Sequence, residues 1–343
     1  MMKFHGSNHL ELMMKIVKIS RYILVIACIM CFINTSGQDP QFTQFYANKL
    51  YLSPSFAGAT KQHRVGTIYR KQWLGIANGF ETYAVSYDHY FEAFNSGLGI
   101  IAVKDAAGSA SMGFLDLGVS YSYNFQVNDY WHVRPGVGFY YYRYGFDFYK
   151  LIFKDQMTFS GTSPTSIEDP PYDDRIGAFD AATSVLVYSD KIWSGLTVDH
   201  LMMPNQSFYA GKSRVPLEFT FYGGMQIVRK GRLLRPIDET LSIAYLYKHQ
   251  KNKKQLDIGL YWYKMPMVLG FWYRGIPLVN SDRGDALAVL AGFKTKSISI
   301  GYSYDFTISN LINSTKGSHE ISLVYEFKTT RKKKIHAIPC PEF

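Results

Sequence analysis

Beyond residue 37 the histidines are His63, His89, His132, His200, His249, His319 and His336. Each is a side chain suited to general-base work near neutral pH. A hydrolase would need one of them beside a nucleophile and an orienting carboxylate. None stands next to a Gly-x-Ser-x-Gly elbow or a comparable partner motif. Asp199 and His200 are adjacent, but neighbours in an extended chain point to opposite faces, so they form no simple dyad. A non-catalytic protein is expected. A second cluster, Glu168, Asp169, Asp173 and Asp174 around Pro170-Pro171, offers oxygen ligands of the kind Ca²⁺ takes. It lacks EF-hand spacing, and a solvated acidic loop is the expected reading, with no resident metal or cofactor. Of the three cysteines, Cys28 and Cys31 lie near the N-terminus. Cys340 sits between Pro339 and Pro341 in an extended, accessible context, where a mixed disulfide and a free thiol are both open.

The elements that carry these residues show a period of two. Leu115, Leu117, Val119, Tyr121, Tyr123, Phe125 and Val127 are apolar, and their alternates Asp116, Gly118, Ser120, Ser122, Asn124, Gln126 and Asn128 are small or polar. That alternation makes a strand with one greasy and one wet face. About fourteen such strands are expected, near 63–73, 80–92, 96–105, 113–127, 131–147, 176–190, 191–202, 214–229, 239–250, 254–264, 267–278, 284–295, 296–306 and 318–328. Aromatic residues make up 16% of the chain, as 27 Tyr, 24 Phe and 5 Trp. They crowd the greasy faces at Tyr121/Tyr123/Phe125, Tyr140–Tyr144 and Tyr261/Trp262/Tyr263, as interfacial girdles do. Asp116, Arg134, Asp180, Asp257 and Arg274 fall on the other face, where a dry sandwich core would tolerate them poorly. The expected fold is all-β: a transmembrane antiparallel outer-membrane barrel. No stretch beyond residue 37 has the ~20 apolar residues of a helical span.

Residues 1–37 read as a cleaved secretory signal, with Lys15, Lys18 and Arg21 before the apolar run Tyr22–Ile33 and a cut before Gln38. A lipoprotein box at Val25–Cys28 is the less fitting reading, because its apolar region would be too short. Cleavage removes four basic and one acidic side chain from a net charge of +10, leaving +7. The tail from Lys328 holds five basic and one acidic residue, +4 of that sum, so the basic balance is no sign of nucleic-acid binding. Residues 38–62 precede the first strand. They are expected to fold into the lumen as a plug, the alternative being a loosely ordered periplasmic leader. Residues 63–328 form the barrel, and 329–343 a basic periplasmic tail. With both termini periplasmic, the connection 149–175 lies outside. The connection 203–213 would also be outside only if the strand count were off by one.

The stretch Asp39-Pro40-Gln41-Phe42-Thr43-Gln44-Phe45-Tyr46, with Leu52-Ser53-Pro54-Ser55-Phe56-Ala57-Gly58 after it, resembles the PorP/SprF family of Bacteroidota type IX secretion and gliding proteins. Further matches are Leu196–Leu201, which contains His200, with Pro204-Asn205. Others are Trp272-Tyr273-Arg274-Gly275, then Gly301–Asp305, then Gly317–Leu323 with His319 and Glu320, and the tail around Cys340. The resemblance implies an outer-membrane platform rather than a catalyst. Its expected partners are outer-membrane lipid, other type IX secretion components, a large secreted surface protein of adhesin type and a periplasmic peptidoglycan-binding protein. It marks Asp39, Pro40, Gln41, Phe42, Gln44, Tyr46, Pro54, Gly58, His200, Pro204, Tyr273, Arg274, Asp305, His319, Glu320 and Cys340 as partner-binding candidates. A porin or solute transporter is the competing reading, since fourteen strands fall between filled barrels and open pores.

Overall fold

The computed structural model describes residues 40–60, 62–158, 161–162, 166–171, 173–209, 211–231, 237–275, 286–308, 312–327 and 338. Within them fourteen strands close into one antiparallel ring. They are β1 (Arg64–Gln72), β2 (Phe80–Phe91), β3 (Ser96–Ala107), β4 (Met112–Tyr123), β5 (His132–Gly145), β6 (Arg175–Tyr188) and β7 (Ile192–Asp199). Then follow β8 (Glu218–Gly231), β9 (Ile237–Gln250), β10 (Lys253–Lys264), β11 (Met267–Arg274), β12 (Ala286–Lys294), β13 (Ile298–Thr307) and β14 (Ser318–Glu326). Each pairs with the next, and β14 returns to β1 from Arg64↔Glu326 to Gln72↔Ser318. A two-residue extension, Phe125–Gln126, pairs with the foot of β5. Closure leaves every strand with two neighbours along most of its length, which is what a sheet without an aqueous edge requires.

Period two explains which face goes where. On β2 and β3, Tyr83, Val85, Tyr87, Leu98 and Ile100 point outward and stay 37–55% exposed, while Ala84, Ser86, Asp88, Ile101 and Val103 point inward and are buried. A continuous outer belt of exposed Leu, Val, Phe and Tyr would be a liability in water and is the surface hydrocarbon wants. No helix among the described residues is long and apolar enough to cross a membrane; the strands cross instead. Asp116, Arg134, Asp180, Asp257 and Arg274 all face inward and are buried, as their positions among the polar alternates require.

Two expectations change. In consecutive aromatic runs alternate residues must part company, so Tyr140, packed against the inner core, leaves the lipid-facing girdle, and so does Tyr261. It lies buried inside, edge-on to Trp272 at a centroid distance of 5.7 Å. The connection after β7 needs no change in strand count. It joins the seventh strand to the eighth, an odd-to-even link like that between β5 and β6, so both open at the same end of the ring. We call this the loop end, and the end where β1 begins and β14 finishes the terminal end.

Candidate functional site

Residues 41–59 cross no sheet and yet are almost wholly buried, Phe42, Tyr46, Leu50 and Phe56 among them. The segment folds into a turn of helix, α1 (Lys49–Leu52), followed by a 3₁₀ turn over Pro54–Phe56. Ser53 caps that turn, accepting from the Ser55 N–H at 3.3 Å, and Pro54 occupies its first position. Both choices suit a helix start, because proline has no N–H to leave orphaned. The apolar side chains pack against inward aromatic residues of the strands. Phe45 meets Trp272 edge-on at 5.0 Å, and the Trp193 Nε1–H donates to Tyr46 Oη at 3.3 Å.

One end of the segment is held by charge. Arg70 of β1 pairs with Asp305 of β13 at 2.7 Å and with Glu320 of β14 at 3.0 Å. Arg274 of β11 reaches the same Asp305 at 3.1 Å and Asp257 of β10 at 3.5 Å. Thr43 inserts here: its hydroxyl donates to Asp305 at 2.7 Å and accepts from Arg70 at 2.9 Å and Arg274 at 3.1 Å. Its backbone N–H and that of Gln44 both donate to the Glu320 carboxylate, at 2.8 and 2.7 Å. The Gln44 amide is gripped from two strands, donating to Ser303 and accepting from Ser322 at 2.6 Å. Gln41 exchanges amide hydrogen bonds with Gln255 at 3.1 and 3.0 Å, and Gln255 donates on to Asp257. Buried charges are tolerable only when paired and hydrogen-bonded on most sides, and these are.

The other end is held by its backbone. Arg134 of β5 donates to the carbonyls of Ser55 and Ala57, and Ser122 of β4 donates to Ala57 at 2.8 Å. Arg64 of β1 donates to the carbonyls of Tyr46 and Ala47. The Gly58 N–H donates to Asp88 of β2 at 2.9 Å, with Gly58 at φ +65°. The fit is close: a Cβ on Gly97 would collide with the Ala57 carbonyl, and one on Gly136 with the backbone at Ser55. Together the two anchors tie the segment to β1, β2, β4, β5, β10, β11, β13 and β14.

Residues 34–325 match the family described as Type IX secretion system membrane protein PorP/SprF. This chain is a member of the PorP/SprF family. As such it is a component of type IX secretion whose barrel lies in the outer membrane and works with other components of that system. No curated protein matches the chain. Among solved structures it is similar to the Acinetobacter baumannii outer membrane protein Omp33, at 8% identity and a TM-score of 0.41 over 79% of this chain and 100% of that one. It is similar also to CdiB from Acinetobacter baumannii, at 8% identity and TM-score 0.42 over 78% and 60%. The KdgM porin in complex with disordered oligogalacturonate follows at 10% identity and TM-score 0.35, over 77% and 99%.

Of the residues marked in this PorP/SprF chain by its sequence, Gln41, Gln44, Arg274, Asp305 and Glu320 come together at the charged anchor. Phe42 and Tyr46 are in the buried aromatic cluster, and Pro54 and Gly58 serve the second anchor. His200 stands apart, with its Nδ1 2.6 Å from Asp180 of β6. It is not on a strand: β7 stops at Asp199, and His200 takes φ +61° and turns inward, buried. Pro204 is buried in the connection beyond, its carbonyl accepting from Val215 at 2.9 Å. Tyr273 and His319 lie on the outward face, opposite their neighbours Arg274 and Glu320, and His319 bonds Tyr302 at 2.6 Å. Pro40 is half-buried; Asp39 and Cys340 lie outside the described residues. Among the described residues no three His, Cys, Asp or Glu side chains are grouped to hold a metal ion, Glu168, Asp169, Asp173 and Asp174 included. That loop is ordered instead by Asp155, which accepts from the Ile167 N–H at 2.8 Å and the Ser166 hydroxyl at 3.0 Å. Arg64, Arg70 and Asp88 carried no motif, and Thr43, though inside the family stretch, was not among the residues singled out. Their signal was a lone charge or hydroxyl on the inward register of a strand or on the segment itself.

Proposed function

We propose that this PorP/SprF protein is a non-catalytic outer-membrane platform that engages a secreted surface protein and links it to the rest of the type IX machinery. The observation that carries this reading is residues 41–59, buried against inward-facing side chains of the ring and hydrogen-bonded at both ends. A pore needs a continuous wet path lined by groups that water or solute can reach. Here Arg64, Arg70, Asp88, Arg134, Arg274, Asp305 and Glu320 of the wall hold the protein's own segment, which in this reading closes the lumen and leaves binding to the two rims. In this reading residues 1–37 are a signal removed in export and the terminal end, where β1 begins and β14 finishes, is periplasmic. The loop end then faces outward, and the basic tail 329–343 offers charge to a periplasmic partner. The test is affinity purification of a tagged chain from detergent-solubilised outer membrane. Stoichiometric recovery of a large surface protein or a periplasmic component is expected; recovery of the barrel alone, together with solute uptake through it, would replace this reading with a transporter.

A further inference from the structure

β6 is longer than the neighbour it meets. Its pairing with β7 runs only from Tyr188↔Trp193 to Thr183↔Val198, whereas its pairing with β5 continues to Arg175↔Gly145. Asp180 ends the shorter ladder. Its carboxylate takes the Ala181 N–H at 2.8 Å, the Met202 N–H at 3.1 Å and the His200 ring at 2.6 Å. The turn this imposes takes the chain off that ladder, after the Leu201 N–H has bonded the Ala181 carbonyl at 3.0 Å, and the connection then brings Phe208 edge-on to Phe146 at 4.7 Å. From Phe179 to Arg175, β6 has β5 on one side and, among the described residues, no strand or backbone hydrogen bond on the other.

The register says which groups this edge offers. Thr183 faces β7 and the Ala181 carbonyl is used on that side, so Phe179, Gly177 and Arg175 turn their N–H and C=O groups the same way. They recur about every 6.8 Å, two residues of extended chain. A bare edge cannot rest in hydrocarbon, and proteins usually blunt one with proline, lysine or a bulge. This one has no proline, and its exposed Gly177 leaves the backbone open. On the side of the β5–β6 connection its flank is apolar and mainly acidic, with six carboxylates between residues 146 and 174 against Lys150 and Lys154; Arg175 stands in the edge itself, and Lys212 and Arg214 lie in the connection on the far side. The connection between β5 and β6 exposes Tyr149 at 87% and Ile167 at 86%, and on the far side Met202 is 60% exposed. Glu168, Asp169, Asp173 and Asp174 are exposed beside the start of β6. A second copy paired two-fold about Gly177 would set these carboxylates against each other, so the charge favours a basic occupant.

We propose that the edge Arg175–Phe179 is a docking strand, and that its occupant is an extended, lysine- or arginine-bearing segment of the surface partner, added antiparallel or parallel beside β6. Backbone hydrogen bonds hold it, the apolar loop residues contact its side chains, and the carboxylates select its charge. This inference rests on the platform reading and names where its partner sits.

The test places a photoreactive phenylalanine analogue at Phe179 in cells, with Met112, 56% exposed at the same end, as the control position. Two variants are combined with it. Gly177→Pro removes an edge N–H while the even-numbered residues keep their ladder to β5. Asp173→Lys with Asp174→Lys reverses the flanking charge and leaves the backbone alone. Expected are an adduct at 179 and none at 112, a cross-linked peptide rich in lysine or arginine, and at least a tenfold fall in adduct yield with either variant. A surface partner recovered by affinity purification without an adduct at 179, or an adduct that neither variant weakens, would overturn the docking strand and leave the platform standing. Failure to recover any partner would remove both.

Discussion

The two ends of the interior segment are held by opposite strategies. At Thr43–Gln44 the barrel reads side chains: a hydroxyl between two guanidinium groups and a carboxylate, and an amide between two serines. At Ser55–Ala57 the grip is mostly on the backbone, since Arg134 and Ser122 take carbonyl oxygens any residue would present, with the Ser55 hydroxyl, 2.7 Å from that of Ser184, adding a side-chain contact. The first anchor therefore constrains the sequence of the segment and the second constrains its path. Close fit operates at both ends: Gly97 and Gly136 leave room for the backbone at Ser55–Ala57, and Gly301 leaves room for the Gln44 amide.

The largest effect that separates the two is loss of Glu320. Glu320→Gln removes the carboxylate that takes two backbone N–H groups and half of the pairing of Arg70. Breaking one partner of a buried ion network costs about 3–5 kcal/mol, to be read as a lower urea midpoint in detergent. Arg134→Met is expected to cost less, about 2–3 kcal/mol, because it removes charge-assisted hydrogen bonds to neutral carbonyls and leaves no buried charge unpaired. If the second loss exceeded the first, the contrast between the anchors would fail. Thr43→Val should cost about 1–2 kcal/mol alone. In a double-mutant cycle it should couple strongly to Glu320→Gln and add independently to Arg134→Met, since only the first pair shares partners.

In the loop between β5 and β6 the effects are small. Asp155 there is held below the usual carboxylate range by the Ile167 N–H above all, which outweighs a cost of burial, and then by the Ser166 hydroxyl. A depressed pKa stabilises the ordered loop above the ordinary carboxylate pKa and loses that stabilisation as pH falls through the lowered value. Amide exchange at Ile167 is therefore expected to be slow at neutral pH and to lose its protection on acidification. Asp155→Asn should abolish this pH dependence without moving the urea midpoint of the barrel.

The same contrast explains how much could be read from sequence. All fourteen strands were legible, because a half-greasy strand must alternate and a lone inward charge such as Asp116 or Asp257 marks the wet face. The charged anchor was partly legible: Gln44, Arg274, Asp305 and Glu320 stood out by family resemblance, while Arg70, which joins them, sits in a strand with no motif. Of the backbone anchor, Pro54 and Gly58 stood out by family resemblance and Arg134 as an inward charge, but the contacts they make were not legible. Arg64 and Arg134 bind carbonyl oxygens, and nothing in residue type announces a carbonyl. His200 misled for a different reason. Alternation assigns faces only while the backbone stays extended, and the left-handed turn at His200 ends β7 three residues before the expected boundary. That turn brings the ring to Asp180 on the preceding strand, β6.

The central claim is that the ring encloses its own N-terminal segment and for that reason works through its rims rather than its lumen. Single-channel recording in planar bilayers tests this most directly, comparing the intact chain with one lacking residues 40–58, each first checked for a folded barrel. The account predicts a closed trace for the intact protein and stepwise conductance for the deletion. Porin-like openings from the intact chain, or a folded deletion barrel that stays closed, would contradict it.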